Sequence, residues 1–272
     1  DGLGETVAHA IEDHYKPRFA GDELPRNSVG LVVALADKLE TLVGMFGIGN
    51  LPTGDRDPVA LRRHALGVIR MLIEKDLPLG LDALLQDAAA QFKDIPGFES
   101  SKATVELQDF ILDRLAGSLR EQGASAQEVD AVLAPRPQRL GEVPKLLAAV
   151  RAFAALPAAA ALAAANKRIG NILKKAPEAD AHVSELLLQE PAEKALHAAM
   201  AQVVPAANAQ FEAGDYTASL QTLAALREPV DAFFDGVMVN AEQADLRLNR
   251  LGLLMSLHAA MNRVAQLERL AV

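Results

Sequence analysis

Apolar residues recur every three or four positions along nearly the whole chain, and no segment keeps the period of two that a β-strand requires. Val7, Ile11 and Tyr15 show this spacing near the start, and Leu107 and Ile111 begin another such stripe. Aromatic residues make up only 4% of the 272 residues, with no Trp and two Tyr, so the core must consist mainly of Ala, Leu and Val. Small aliphatic side chains favour close packing between helices, and the sequence therefore predicts an all-α fold.

Composition limits the class of protein further. The absence of Cys excludes disulfide frameworks, Cys-based zinc sites and thiol catalysis, and it fits a reducing, cytoplasmic setting. The most apolar run, residues 152–165, contains Pro157 and is too short to span a bilayer, so we expect no membrane partner. The chain begins at Asp1 without an initiator Met or a signal peptide, and we expect a fragment of a longer protein.

Two helical domains are predicted, with a short connection between them. Residues 94–101 contain a Pro-Gly pair and read as a linker or turn. The first domain is then residues 1–93 and the second is residues 102–272.

Several helix ends can be read directly from the sequence. Asp57 is predicted as an N-cap with Pro58 at the first helical position. Ser125 and Glu128 have the spacing of a capping box. The last helix is predicted to run over about residues 242–270.

Charge is unevenly distributed along the chain. The net charge of −9 argues by itself against nucleic-acid binding. Residues 136–175, however, hold eight cations and one anion, a net charge of +7 that leaves −16 on the remainder. A basic segment on an acidic protein is typical of a chain that binds a polyanion in one place only. The eight cations are Arg136, Arg139, Lys145, Arg151, Lys167, Arg168, Lys174 and Lys175.

The end of this basic segment divides into two helical faces. Leu162, Ala165, Ile169, Ile172, Leu173 and Ala176 share one face by spacing. Lys167, Asn171, Lys174 and Lys175 share the other, with Arg168 beside them. Lys and Arg neutralise phosphates, and the amide of Asn pairs with base edges. A solvated basic face without a ligand is the alternative interpretation.

A metal site has weaker support in the sequence. The six His are scattered and form no His-Glu-x-x-His pair. His14, Asp13 and Asp37 would meet if the first two helices packed antiparallel, and such ligands suit a hydrolytic metal site. Exposed or internally paired polar groups explain the same residues, and no Ser-His-Asp arrangement can be argued from spacing.

Long blocks of this sequence resemble the β subunit of bacterial tetrameric glycyl-tRNA synthetase, and the similarity extends from end to end. The blocks are residues 10–22, 33–49, 52–55, 57–63, 164–175, 226–239 and 247–254. The chain looks like the C-terminal portion of that subunit. The resemblance implies that residues 1–93 are the later part of an HD-like helical domain. Asp37 falls at the last metal-ligand position of the wider HD superfamily, whose other ligands would precede residue 1, so no metal site is assigned.

For the second domain, the resemblance implies a helical-bundle anticodon-binding domain of the DALR type, as in arginyl-tRNA synthetase. The sequence Ala-Asp-Leu-Arg ending at Arg247 matches the Asp-Ala-Leu-Arg signature only loosely. In the family, two α and two β chains assemble, the α subunit attaches glycine using ATP, and the β subunit binds glycine tRNA. No catalytic residue, cofactor or DNA partner is therefore expected in this chain.

From the two faces and the resemblance together, we predict which residues contact the anticodon arm. They are Asn166, Lys167, Arg168, Asn171, Lys174, Lys175, Arg247 and Arg250, with Arg227 and Asn249 as lesser candidates. Two alternatives remain open. One is a fragment of an HD-family metal-dependent phosphohydrolase using His14 and Asp37, and the other is a helical scaffold that packs on a partner protein.

Overall fold

The structure, a computed structural model, describes residues 2–57, 59–176 and 179–271. Within these ranges it contains helices and a single isolated bridge between Thr53 and Arg56, which confirms the all-α prediction. The α-helices, numbered in chain order, are α1 Glu5–Asp13, α2 Ser28–Gly47, α3 Leu61–Glu74, α4 Leu81–Ala90, α5 Ser100–Glu121, α6 Ala126–Leu133, α7 Val143–Ala154, α8 Ala159–Leu173, α9 Pro191–Glu212, α10 Tyr216–Leu223, α11 Arg227–Gly236 and α12 Ala244–Met261.

The chain forms two compact units, and their limits differ from the predicted domains. The first unit comprises residues 1–123 and 136–144, and the second comprises residues 124–135 and 145–272. Helix α5, which the sequence analysis assigned to the second domain, packs in the first unit against α2, α3 and α4. Its apolar stripe is buried there, so the predicted linker at 94–101 is a turn inside one core.

That turn is held in place by aromatic packing. Phe98 stacks on Phe92 with ring centroids 4.9 Å apart. The ring of Phe98 also lies against Gly47 at the end of α2, where an added Cβ would come within 1.8 Å of it. Only a residue without a side chain fits at this contact, which fixes the path from α4 into α5.

The start of α3 differs from its prediction by several residues. Pro58 lies outside the described residues, and α3 begins at Leu61. Asp57 nevertheless caps the helix, because its carboxylate accepts the backbone N–H groups of Leu61 at 2.7 Å and Arg62 at 2.9 Å. The capping box of Ser125 and Glu128 is present as predicted at the start of α6.

In the second unit, α8 packs against α11, α12 and a final 3₁₀ turn, Leu267–Leu270. Ile169 of α8, Phe233 of α11 and Leu253 of α12 are completely buried among them. Helix α12 ends at Met261, well before the predicted end at residue 270. Asn262 follows it, and its side-chain oxygen accepts the N–H of Leu267 at 3.0 Å, which turns the chain into the 3₁₀ segment.

Among the described residues, no single helix is both long enough and apolar enough to cross a membrane. One sharply bent pair of helices meets that criterion by length and composition alone. It consists of Leu140–Ala154 and Ala159–Leu173, which meet at 109°.

Candidate nucleic-acid interface

Helix α8 has the two faces that its spacing predicts. Leu162 and Ile169 are buried on one side. Lys167 and Asn171 are exposed on the other, and Lys175 continues this side just beyond the helix end. The buried side anchors the helix in the core of the second unit, so the polar side is held in a fixed position.

The polar side of α8 borders a groove of about 460 Å³. Four residues predicted to contact RNA line it: Lys167, Arg168, Asn171 and Lys175. Asn240, from the segment after α11, lines it as well. Lys174 is exposed at the end of the same helix but does not line the groove.

The charges in and beside this groove are available to a ligand. The side chains of Lys167, Lys174 and Lys175 form no hydrogen bond or ion pair within the described residues, and neither do the amides of Asn171 and Asn240. Basic groups without a protein partner can replace the counterions of a phosphate backbone, whose release favours binding. The groove therefore combines free cations with amide groups that can both donate and accept hydrogen bonds.

Arg168 is held differently from the lysines. Its guanidinium lies over the ring of Phe234 in α11, 4.2 Å from the ring centroid. This contact fixes a flat cationic surface at the groove, on which a nucleic-acid base can stack. Phe233, the preceding residue, is completely buried, whereas Phe234 is half-buried.

Asn240 and Phe234 were not predicted because no local signal marks them. Both lie more than 60 residues from α8 in the chain, and neither shares a helical period with it. The packing of α11 beside α8 places Phe234 against Arg168, and Asn240, in the segment after α11, lines the groove.

His258, on α12, lies close to the other side of α8. Its Nε2 is buried without a partner in the described part of the chain, and a Cβ at Gly170 would come within 3.5 Å of it. Burial lowers the pKa of His258; Glu268 opposes this shift and Lys174 adds to it. The imidazole is therefore neutral at pH 7, and the positive charge of this region comes from Lys and Arg.

The structure corrects the prediction for Asn166, which is completely buried. Its Oδ1 accepts a hydrogen bond of 2.8 Å from Nδ2 of Asn262, and its own Nδ2 lies 3.7 Å from the sulfur of Met261. Asn166 thus joins α8 to the end of α12, and no part of its side chain is open to RNA.

Arg250 and Asn249 are also internal, against the prediction. Arg250 is 6% exposed, and its guanidinium forms an ion pair with the buried carboxylate of Glu193 and donates to the carbonyl of Met238 at 2.8 Å. Asn249 is 5% exposed. Its Oδ1 accepts the backbone N–H of Ser184 at 2.7 Å, and its Nδ2 donates to the carbonyl of Ser184 at 3.1 Å. Both side chains hold helices and loops together.

The two remaining predicted residues are at the surface but have partners. Arg247 is half-buried and donates to the carbonyl of Ala241 at 2.9 Å. Arg227 is exposed on α11, 3.5 Å from the carboxylate of Asp231. Neither lines the groove.

The basic segment 136–175 is not one surface. Arg136 and Arg139 belong to the first unit, where Arg136 pairs with Asp109. Arg151 pairs with Glu128 in the second unit. Four of the eight cations, Lys167, Arg168, Lys174 and Lys175, lie on α8 or directly after it.

The three residues considered for a metal site do not form one. Both oxygens of Asp13 are engaged by Arg26 and Lys16, and the hydrogen bond from Arg26 holds the pKa of this carboxyl well below its usual range. Nδ1 of His14 lies 2.6 Å from a backbone carbonyl of its own helix. In the part of the chain that the structure describes, no group of three or more His, Cys, Asp or Glu is placed to hold a metal ion.

Comparison with known proteins places these features in a family. The family model described as "Glycyl-tRNA synthetase beta subunit" matches residues 1–134, and the "DALR anticodon binding domain" matches residues 162–267. The glycine–tRNA ligase β subunit of Polaromonas naphthalenivorans is 77% identical over 271 residues, which cover 99% of this chain and 38% of that protein. The corresponding subunits of Acidovorax ebreus and Dechloromonas aromatica are 74% and 69% identical over the whole chain. The chain spans about 38% of the length of these curated relatives, and the predicted C-terminal position within them stays a prediction.

Proposed function

The chain belongs to the glycyl-tRNA synthetase β-subunit family, and from this premise we propose that it binds glycine tRNA through the groove along α8. The observation that carries the proposal is the set of cations and amides at α8 that have no hydrogen-bond or ion-pair partner among the described residues, inside the segment that matches an anticodon-binding domain. Proteins usually read RNA sequence on unstacked single-stranded loops, and the anticodon is such a loop.

The residues in and beside the groove divide into two roles. Lys167, Lys174 and Lys175 neutralise backbone phosphates of the anticodon arm. Asn171 and the Arg168–Phe234 stack contact bases, by hydrogen bonding and by stacking respectively. With two Tyr and no Trp in the chain, base recognition depends more on Asn and Arg than on aromatic rings.

Our proposal extends to the enzyme of which the chain is a part. The β subunit binds tRNA while an α subunit attaches glycine with ATP, in an assembly of two α and two β chains in the cytoplasm. The family assignment supports this arrangement, and the HD-like character of the first unit is part of the same proposal. The chain itself then needs neither a cofactor nor a catalytic residue.

A double substitution tests the groove. Lys167→Ala/Lys174→Ala should weaken tRNA binding and reduce the slope of log K against log salt by about two, because about one counterion is released for each phosphate contact. Binding is measured by fluorescence anisotropy at several salt concentrations. Lys75→Ala/Lys194→Ala removes two exposed lysines elsewhere and should leave the slope unchanged. Equal slopes for both double variants and the parent chain would exclude the basic surface at α8 as the tRNA-binding site.

A second titration tests anticodon recognition. The chain is titrated with glycine tRNA and with an anticodon-mutated version of it at two salt concentrations. Tighter binding of the natural anticodon at both concentrations is expected, because base contacts are less sensitive to salt than phosphate contacts. Equal binding of the two tRNAs would support tRNA binding by the chain but contradict recognition of the anticodon. No binding of either would favour the scaffold hypothesis.

A further inference from the structure

The first unit contains a second basic groove, of about 250 Å³, that the tRNA-binding proposal does not use. Its polar lining consists of Tyr15, Arg18, Asp37, Lys38, Arg63 and His64. At roughly 30 Å³ for each water, this volume corresponds to about eight waters, which leaves room for a small ligand. Three cations against one carboxylate make the groove positive overall.

Lys38 is the most unusual of these residues, because it is an amine that is only 3% exposed. Its side chain crosses Gly67 of α3 so closely that a Cβ there would lie 2.9 Å from its Cε. Its Nζ donates to the backbone carbonyls of His14 at 3.4 Å and Tyr15 at 3.3 Å, and it pairs with no carboxylate in the described residues. Burial accordingly lowers the pKa of Lys38. Two long hydrogen bonds to neutral acceptors compensate poorly for a buried positive charge.

His64 adds a second unsatisfied group to the same groove. Its Nδ1 is buried and finds no hydrogen-bond partner in the part of the chain that the structure describes. Burial lowers the pKa of His64, and the nearby charge of Lys38 lowers it further. The ring is therefore neutral at pH 7 and can donate one hydrogen bond from Nδ1 in the appropriate tautomer.

The two arginines of the groove differ in their availability. Arg18 is held by Asp22 through two guanidinium hydrogen bonds of 2.9 and 3.1 Å, so its charge is already compensated. Arg63 is exposed on α3 and forms no hydrogen bond or ion pair with any described residue. Its planar guanidinium is therefore free to bind a tetrahedral anion through two N–H groups.

We propose that this groove binds a phosphate group, with Lys38 and Arg63 neutralising the charge and Nδ1 of His64 donating a hydrogen bond. A phosphate supplies the strong acceptors that Lys38 and His64 lack. The same arrangement disfavours a metal ion, because a cation bound at Asp37 would lie beside the positive charges of Lys38 and Arg63. The source of the phosphate is either a free mononucleotide or the backbone of an RNA, and the experiment distinguishes the two.

Imidazole NMR of the 272-residue chain reports on the groove directly. In chloride buffer, AMP and inorganic phosphate should each shift the ring signal of His64 saturably, with that signal assigned by its loss in His64→Gln. The signal of His182, an exposed residue of the second unit, should stay in place. Arg63→Ala should raise the dissociation constant for AMP at least tenfold. Arg56→Ala removes an exposed arginine of the same unit outside the groove and should leave that constant unchanged.

Two results would overturn the proposal. One is the absence of a saturable shift at His64, and the other is equal weakening by Arg63→Ala and Arg56→Ala. Both arginines are exposed, so neither variant should disturb folding, and circular dichroism verifies this.

The source of the phosphate follows from a competition in the parent chain, with glycine tRNA at a concentration that saturates it. Displacement of AMP from His64 by glycine tRNA identifies an RNA phosphate as the ligand. Retention of AMP while tRNA is present identifies a free mononucleotide. Either result supports the phosphate site. The readout at His64 is independent of tRNA binding at α8, so failure of one proposal does not imply failure of the other.

Discussion

At the scale of single residues, the position of a side chain around its helix decides its role. Asn166 and Asn171 are both on α8 and were both predicted to contact RNA. Each residue on an α-helix is rotated by about 100° from the one before it, so two side chains five residues apart point in directions that differ by about 140°. Asn171 therefore faces the groove, while Asn166 turns into the core and bonds to Asn262. The residue type was the same, and only its angular position differed.

This difference gives a matched pair of substitutions on one helix. Asn166→Ala should lower the free energy of unfolding by about 2 kcal/mol, because it removes a buried hydrogen bond and leaves a polar group of Asn262 unsatisfied. Its tRNA affinity, measured under conditions where the variant is folded, should match that of the parent. Asn171→Ala should do the reverse, weakening tRNA binding with little effect on stability.

Urea denaturation and anisotropy titration measure the two effects separately. A loss of affinity in both variants without a loss of stability would mean that Asn166 reaches the surface, contrary to its burial in this structure.

At the scale of elements, Arg250 shows how a basic residue joins helices. It comes from α12, and its partner Glu193 is in the first turn of α9. The same carboxylate accepts the backbone N–H groups of Gln189 and Glu190 at 2.7 and 2.8 Å. Glu193 thus caps its own helix and receives a guanidinium from another, so the pair fixes the start of α9 against α12.

Removing one partner of this pair should be costly. Arg250→Met leaves the Glu193 carboxylate buried without its cation and should lower the free energy of unfolding by about 3 kcal/mol. The double variant Arg250→Met/Glu193→Gln, which carries no buried charge at this position, should recover part of that loss. Arg227→Met removes an exposed arginine paired only with Asp231 and should change stability by less than about 1 kcal/mol.

Urea unfolding curves of the variants provide the comparison. If Arg250→Met and Arg227→Met lowered the free energy of unfolding by equally small amounts, a structural role for Arg250 would be contradicted. Arg250 would then again be a candidate for RNA contact.

At the scale of the whole molecule, the boundary between the compact units follows packing rather than the Pro-Gly turn. Leu107, Ile111 and Leu115 of α5 are buried against the first unit. Residues 124–135 belong to the second unit, although residues 136–144, which follow them in the chain, belong to the first. Within the second unit, the backbone N–H of Gln266 donates to the carbonyl of Ala131 at 2.9 Å. A chain that enters each unit twice cannot be divided correctly from composition alone.

Two truncated chains test this division. A fragment of residues 102–272 carries α5 without the helices that cover it, so it should expose that apolar stripe and aggregate. A fragment of residues 124–272 should be a folded monomer. Size-exclusion chromatography and binding of an apolar dye distinguish them. A monomeric 102–272 fragment with an aggregating 124–272 fragment would support the boundary at residues 94–101 instead.

The sequence by itself determined the all-α class, because helical periodicity and a core of small aliphatic residues persist along the chain. It also determined the polar and apolar faces of α8 and the caps at Asp57 and Ser125, since these depend on residues close together in the chain. The net charge, once divided by segment, located the basic helix.

Tertiary structure alone decided which polar residues are free. Asn166, Asn249 and Arg250 find partners more than 50 residues away in the chain, and such long-range pairing leaves no local signal. Packing within the second unit places Phe234 against Arg168 and Asn240 at the groove, and packing within the first unit places Lys38 and His64 in the second basic groove. Helical spacing fixes the direction of a side chain from its own helix, whereas the elements packed against that helix decide whether the side chain meets protein or solvent.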